Sequence, residues 1–164
     1  MVRDRQVAQD ARRAREFEAF VAGAAGRLLR TATLLTAEPP DDNPRARRLL
    51  TDALAHTYAV WDRLRGEDPY DLTRQRLAVR FARGAWHHHG LFRRPPGGVL
   101  AALAPQERLI LVLRLHEGVA AEQTAALLGL PVERVTTICL RAMATVLHPP
   151  REAVAEKAVE VAPS

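Results

Sequence analysis

Prolines decide where regular structure can start in this chain. Pro44, Pro69 and Pro105 each stand just ahead of a run in which apolar residues recur at spacings of three and four. Proline breaks a helix interior but suits its first turn, where its missing N–H goes unused. Period-two alternation is absent, so helices are the only regular element the pattern supports. The first is predicted from about Arg15 to Leu35, on the stripe Phe17, Phe20, Val21, Ala24, Leu28, Ala32 and Leu35. "TAEPPDDNP" interrupts it, and Asn43 is the expected N-cap of a second helix over about 44–65. Its inner stripe is Leu50, Ala53, Leu54, Thr57, Trp61 and Leu64. Asp68-Pro69 repeats the same start, opening a third helix over about 69–89 with Gly90 at its C′ position.

"FRRPPGG" then reads as a linker, and the pattern restarts. Pro105 opens a helix with Leu109, Val112, Leu113 and His116 inward, closed by Gly118. A short helix over about 121–128 leads to a turn at Gly129 and a last helix over about 132–147, stopped by "HPP". The expected fold is all-α. Two small helical domains, 14–90 and 99–148, are joined by a short Pro/Gly linker at 91–98 and followed by a weakly amphipathic tail at 149–164.

Composition supports this and removes other classes. Hydrophobic residues make up 48% of the chain but aromatics only 5%, so alanine and leucine carry the core. The net charge of +5 points to an anionic partner, nucleic acid first. The single cysteine, Cys139, excludes an internal disulfide and falls on an inner helix face. The first twenty residues lack the apolar core of a signal peptide, and no apolar run is long enough to span a membrane. The expectation is a cytoplasmic protein without a membrane partner. "WHHHG" is not read as a metal site, because successive helical residues point about 100° apart and His87, His88 and His89 cannot converge. With no catalytic triad or phosphate loop visible either, neither an enzyme nor a cofactor is expected.

Two faces are candidates for nucleic-acid contact. On the last helix, Val135, Cys139, Ala142 and Val146 point inward, while Glu133, Arg134, Thr137, Leu140 and Arg141 point outward with Thr136 at the edge. After a short helix and a glycine turn, this is the geometry of a recognition helix. Arg134 suits guanine, Arg141 a phosphate, and Thr136 and Thr137 either. On the third helix, Arg76, Arg80, Arg83 and His87 fall on one face beside aromatics, including Trp86. Such a row can follow a phosphate backbone while rings stack on unpaired bases.

The order of these parts resembles the extracytoplasmic-function sigma factors of bacteria, particularly small actinobacterial ones. The likeness covers roughly 17–148 and is most specific in "LAALAPQERLILVLRLHEGVAAEQTAALLGLPVERV", which is similar to the family's region 4. The resemblance implies that 14–90 is region 2. Its second helix would bind the core RNA polymerase clamp and its third the melted promoter. Residues 99–148 would be region 4, reading the upstream promoter DNA. An anti-sigma factor or another regulator is a further implied partner.

The chain departs from the family pattern at three surfaces. Arg47, Arg48, Thr51 and Asp52 fall where the resemblance puts polymerase contacts, and the first two replace acids, which implies weaker clamp binding. Thr136, Thr137 and Ile138 replace a more basic triplet. The eight-residue linker reaches at most about 28 Å, so the two regions are expected to pack together in the free protein. These departures leave a second reading: a sigma-like regulator that keeps the fold and works by protein–protein interaction without promoter recognition. A plain helix-turn-helix repressor would need a dimerisation helix, and none is visible.

Overall fold

The computed structural model describes residues 2–87 and 97–149, with the side chains of Val2, Trp86 and His87 outside that description. Gly90, linker residues 91–96 and the tail beyond 149 also lie outside the described residues. The described elements are α1 (Val2–Thr36), α2 (Pro44–Ala59), a 3-10 turn (Trp61–Arg63), α3 (Pro69–His87), α4 (Pro105–Leu111) running into a π-helical stretch (Val112–His116), α5 (Ala121–Leu128) and α6 (Val132–Leu147). Among the described residues there is no strand, and the fold is all-α.

The short helices end where the sequence marks them. Asp68 caps α3, its Oδ1 accepting from the Tyr70 amide at 2.8 Å. Gly118 and Gly129 take left-handed φ values of 68° and 65°, which turn the chain after α4 and α5. Three expectations are corrected. First, α1 starts at Val2 instead of Arg15. Residues 3–12 are exposed all round, so no apolar stripe announces them. Local pairs such as Arg12–Glu16, 2.7 Å apart at i,i+4, favour the helix instead. Second, α2 stops at Ala59, and Trp61 beyond it packs edge-on against Phe17, centroids 5.2 Å apart.

Third, Asn43 precedes α2 but does not cap it. Its amide donates to Thr33 Oγ1 at 3.0 Å and its Oδ1 accepts from Arg47 Nε at 2.9 Å. The free amides of Arg45 and Ala46 bond instead to the two carboxylate oxygens of Glu38, at 3.0 and 2.8 Å. A carboxylate from the preceding loop thus satisfies the helix start and complements its dipole.

The apolar side chains form two clusters. Ala24, Leu28, Ala32, Ala46, Leu50, Ala53 and Leu77 knit α1, α2 and α3 together. The larger cluster runs from Leu35, Ala78 and Phe81 of α1 and α3 into Leu103, Leu109, Ile110, Leu113, Val135 and Ala142. The two regions therefore share a core. This is why α4 is buried on more than its expected stripe: Arg108, Ile110 and Leu111 are covered as well, while His116 is only half-buried. On α6 the buried set is Val135, Ile138, Cys139 and Ala142, whereas Val146, expected inside, is 37% exposed. The stripe centres on Val135 and Ala142, and Ile138 is buried at its edge, which removes that residue from any contact face.

Gly98 fastens the second region to the first. Its amide donates to the Ala37 carbonyl at 2.7 Å. A Cβ at Gly98 would lie 2.6 Å from that oxygen, so only glycine permits the approach.

Candidate nucleic-acid interface

On α6, Glu133, Arg134, Thr136, Thr137, Leu140 and Arg141 are all exposed, as their helical positions require. The threonine hydroxyls donate back to their own helix, Thr136 to Val132 O at 3.2 Å and Thr137 to Glu133 O at 2.8 Å. With their protons so engaged, both oxygens face outward as acceptors, suited to exocyclic amino groups, and both methyls are available to thymine. Arg141 is held across the helix pair by Glu107, Nε to Oε1 2.8 Å. Glu107 also accepts from the Ala104 amide at 3.1 Å, so it ties the start of α4 to α6. Arg134 is the exposed cation nearest the helix N-terminus, the end that meets base edges in this kind of docking.

The α3 stripe is less free than its spacing suggests. Arg80 Nε lies 2.8 Å from Asp52 Oδ2, and Arg76 Nε lies 3.9 Å from the same oxygen. Asp52 thereby joins α2 to α3 and offsets part of the positive row. Arg80 and Arg83 remain exposed and Arg76 is half-buried. The Trp86 and His87 side chains, and His88 and His89, lie outside the described residues. The four expected polymerase contacts lie on successive turns of α2, and Arg48 and Asp52 border one cleft. Arg47, Arg48 and Thr51 are exposed on α2, with Thr51 Oγ1 donating to Arg47 O at 2.9 Å, whereas Asp52 turns toward α3.

Cys139 is buried in the shared core, and burial pushes its thiol above the usual range. It packs as a small apolar side chain and offers no reactive thiolate.

Sequence reasoning missed a buried polar knot between the two regions. Glu117, fully covered, follows Leu109 and Leu113 at i+4 steps, so the same stripe carries it inward. Its carboxylate accepts from Thr31 of α1 and from the Tyr70 hydroxyl of α3, at 3.0 and 3.1 Å from the two oxygens. Arg27 Nη2 stands 3.4 Å and Arg74 Nη1 3.8 Å from Oε2. Arg27 also lies over the Tyr70 ring, 4.9 Å from its centroid. Two helices of the first region thus neutralise one acid of the second. The π-helical stretch places it: the Glu117 amide bonds to Val112 O at 3.0 Å, which widens the last turn.

Comparison with known proteins bears on residues 99–146, which match the family model described as Sigma-70, region 4. The chain is 30% identical to the RNA polymerase sigma-E factor of Streptomyces coelicolor over 150 positions, covering 79% of this chain and 82% of that protein. It is 29% identical to the RNA polymerase sigma-E factor of Streptomyces avermitilis at the same coverage. No solved structure matches the chain. No helix among the described residues is long and apolar enough to cross a membrane.

Proposed function

This chain belongs to the RNA polymerase sigma-E factor family, and we propose that the exposed face of α6 reads its promoter. It is a sigma factor of the extracytoplasmic-function type, acting in promoter recognition and transcription initiation. Its partners are core RNA polymerase and promoter DNA, and an anti-sigma factor is the kind of regulator such proteins commonly meet. The reading as a sigma-like interaction module is not favoured, since the relatives carry sigma-factor names.

The observation that supports the α6 reading is the placement of Arg134, Thr136 and Thr137 together on an exposed face, after a glycine turn. Arg134 pairs with a guanine edge, the threonines accept from amino groups, and Arg141 holds a phosphate once released from Glu107. The Arg76, Arg80 and Arg83 row, with Trp86, takes the melted strand, and Arg47, Arg48, Thr51 and Asp52 face the polymerase. We divide the chain at 14–90, 91–98 and 99–148, with 149–164 as a tail beyond them. The protein acts in the cytoplasm, and its role is to locate promoters and help open them, with no catalytic step of its own.

Co-purification with core RNA polymerase followed by run-off transcription tests the reading. The chain should join the polymerase and start transcripts at a defined site. Polymerase binding without site-specific transcripts would return the reading to the interaction module.

A further inference from the structure

A cleft of about 710 Å³ opens where the end of α1, the outer faces of α2 and α3, and the start of α4 come together. Five arginines line it, Arg45, Arg48, Arg80, Arg83 and Arg108, against one acid, Asp52. Its size falls among small-molecule sites, about 300–1,000 Å³. The first four arginines belong to α2 and α3, while Arg108 comes from α4. The complete set exists only when the two regions are packed.

Arg108 distinguishes this cleft from a solvated basic face. It is 5% exposed, and its Nε and Nη1 have no hydrogen-bond partner. The Phe81 ring lies 5.7 Å from its Cζ and gives it a face but no acceptor. Burial first, and repulsion from Arg45 second, lower its guanidinium to about 10. Asp52 is engaged by Arg80 at 2.8 Å. Two buried guanidinium nitrogens without an acceptor are unfavourable unless an anion completes them.

We propose that this cleft binds a nucleoside di- or triphosphate, with its phosphates on Arg108 and Arg48 and its base against Leu49, Phe81 and Pro105. Arginine forks match phosphate oxygens bidentately. A terminal phosphate can enter to reach Arg108, whereas the backbone of a nucleic-acid strand meets only the exposed arginines. Because the ligand touches both regions, it binds the packed arrangement alone and shifts the protein toward it. The inference concerns the free protein, because the cleft shares Arg80 and Arg83 with the strand path and Arg48 and Asp52 with the polymerase contacts.

The test is titration of the purified full chain with ATP, in the absence of polymerase and DNA, followed by calorimetry and thermal melting. Saturable one-to-one binding that raises Tm is expected. Arg108→Gln and Arg48→Ala should each weaken ATP affinity roughly tenfold, the loss of a charge-assisted pair. Arg63→Ala, an equal change of charge on the 3-10 turn, should leave affinity within about twofold. If Arg108→Gln does not fold, Arg48→Ala and ATP-dependent hydrogen-exchange protection of α2 and α4 decide. Absence of saturable binding, or equal affinity across all three variants, would overturn the proposal. So would a single-stranded oligonucleotide that displaces ATP and itself loses tenfold with Arg108→Gln, since that assigns the cleft to nucleic acid.

Discussion

The Tyr70 hydroxyl lies 3.0 and 3.1 Å from the two carboxylate oxygens of Glu117, joining the start of α3 to the end of the π-helical stretch. Thr31, Arg27 and Arg74 surround the same carboxylate. Removing it leaves several donors without an acceptor inside the joint. Glu117→Ala should cost about 3 kcal/mol and Tyr70→Phe about 1–2 kcal/mol. Urea unfolding at unchanged m-value measures both. Losses below about 0.5 kcal/mol for both would show that the knot contributes nothing to the packing of the two regions.

The same tyrosine sets an alkaline limit. Burial first, then the hydrogen bond to Glu117, raises its phenol to about 12. The folded value lies above the unfolded one near 10, so the stabilisation is complete below about pH 10 and is lost as pH rises toward 12. Stability followed across that window should fall more steeply in the wild type than in Tyr70→Phe. Parallel curves would show that Tyr70 does not titrate with unfolding.

Adjacent glycines should behave differently. At Gly98 a Cβ would stand 2.6 Å from Ala37 O, so Gly98→Ala forces the backbone apart and should cost about 1–3 kcal/mol. At Gly97 the Cβ would meet Pro39 Cγ at 3.5 Å, an ordinary contact, and Gly97→Ala should stay within about 0.5 kcal/mol. Thermal melting of the pair checks this, and equal Tm shifts would count against the docking role of Gly98.

Asp52 should restrain strand binding by α3. Replacing Arg76, Arg80 and Arg83 with alanine should weaken single-strand binding and reduce its salt slope by about 0.7 log unit per lost phosphate contact. Asp52→Asn should act in the opposite direction, since it releases Arg80 from a 2.8 Å pair. Fluorescence anisotropy over a salt series gives both slopes. A triple variant with the wild-type slope would remove the stripe from the strand path.

On α6, Arg134 should carry more discrimination than Arg141. Arg134→Ala should cost about 1–3 kcal/mol on the cognate promoter and relax sequence preference. Arg141→Ala should weaken all sequences evenly and by less, because Arg141 already pairs with Glu107. Binding measured on promoter variants with polymerase present distinguishes the two. The reverse ranking would move the reading end about two turns along α6.

What the sequence determined by itself was local. Pro44, Pro69 and Pro105 each open a helix, and Gly118 and Gly129 turn the chain, because φ restrictions act within one or two residues. The outward positions of Arg134, Thr136, Thr137 and Arg141 also follow from helix period alone. Partners were decided only in the folded chain. Asn43 had the right chemistry to cap α2, yet Glu38 took the amides because the loop brought its carboxylate there. Asp52 pairs with Arg80 of α3, 2.8 Å away, a partner that its place on α2 could not name. The 3.6-residue period marked the inner face of α4 but could not show that α1 and α3 cover its other side. Glu117 and Arg108 are therefore buried polar groups whose surroundings come from residues far away in the chain. Ion pairs and burial depend on such distant neighbours, and helix periodicity carries no information about them.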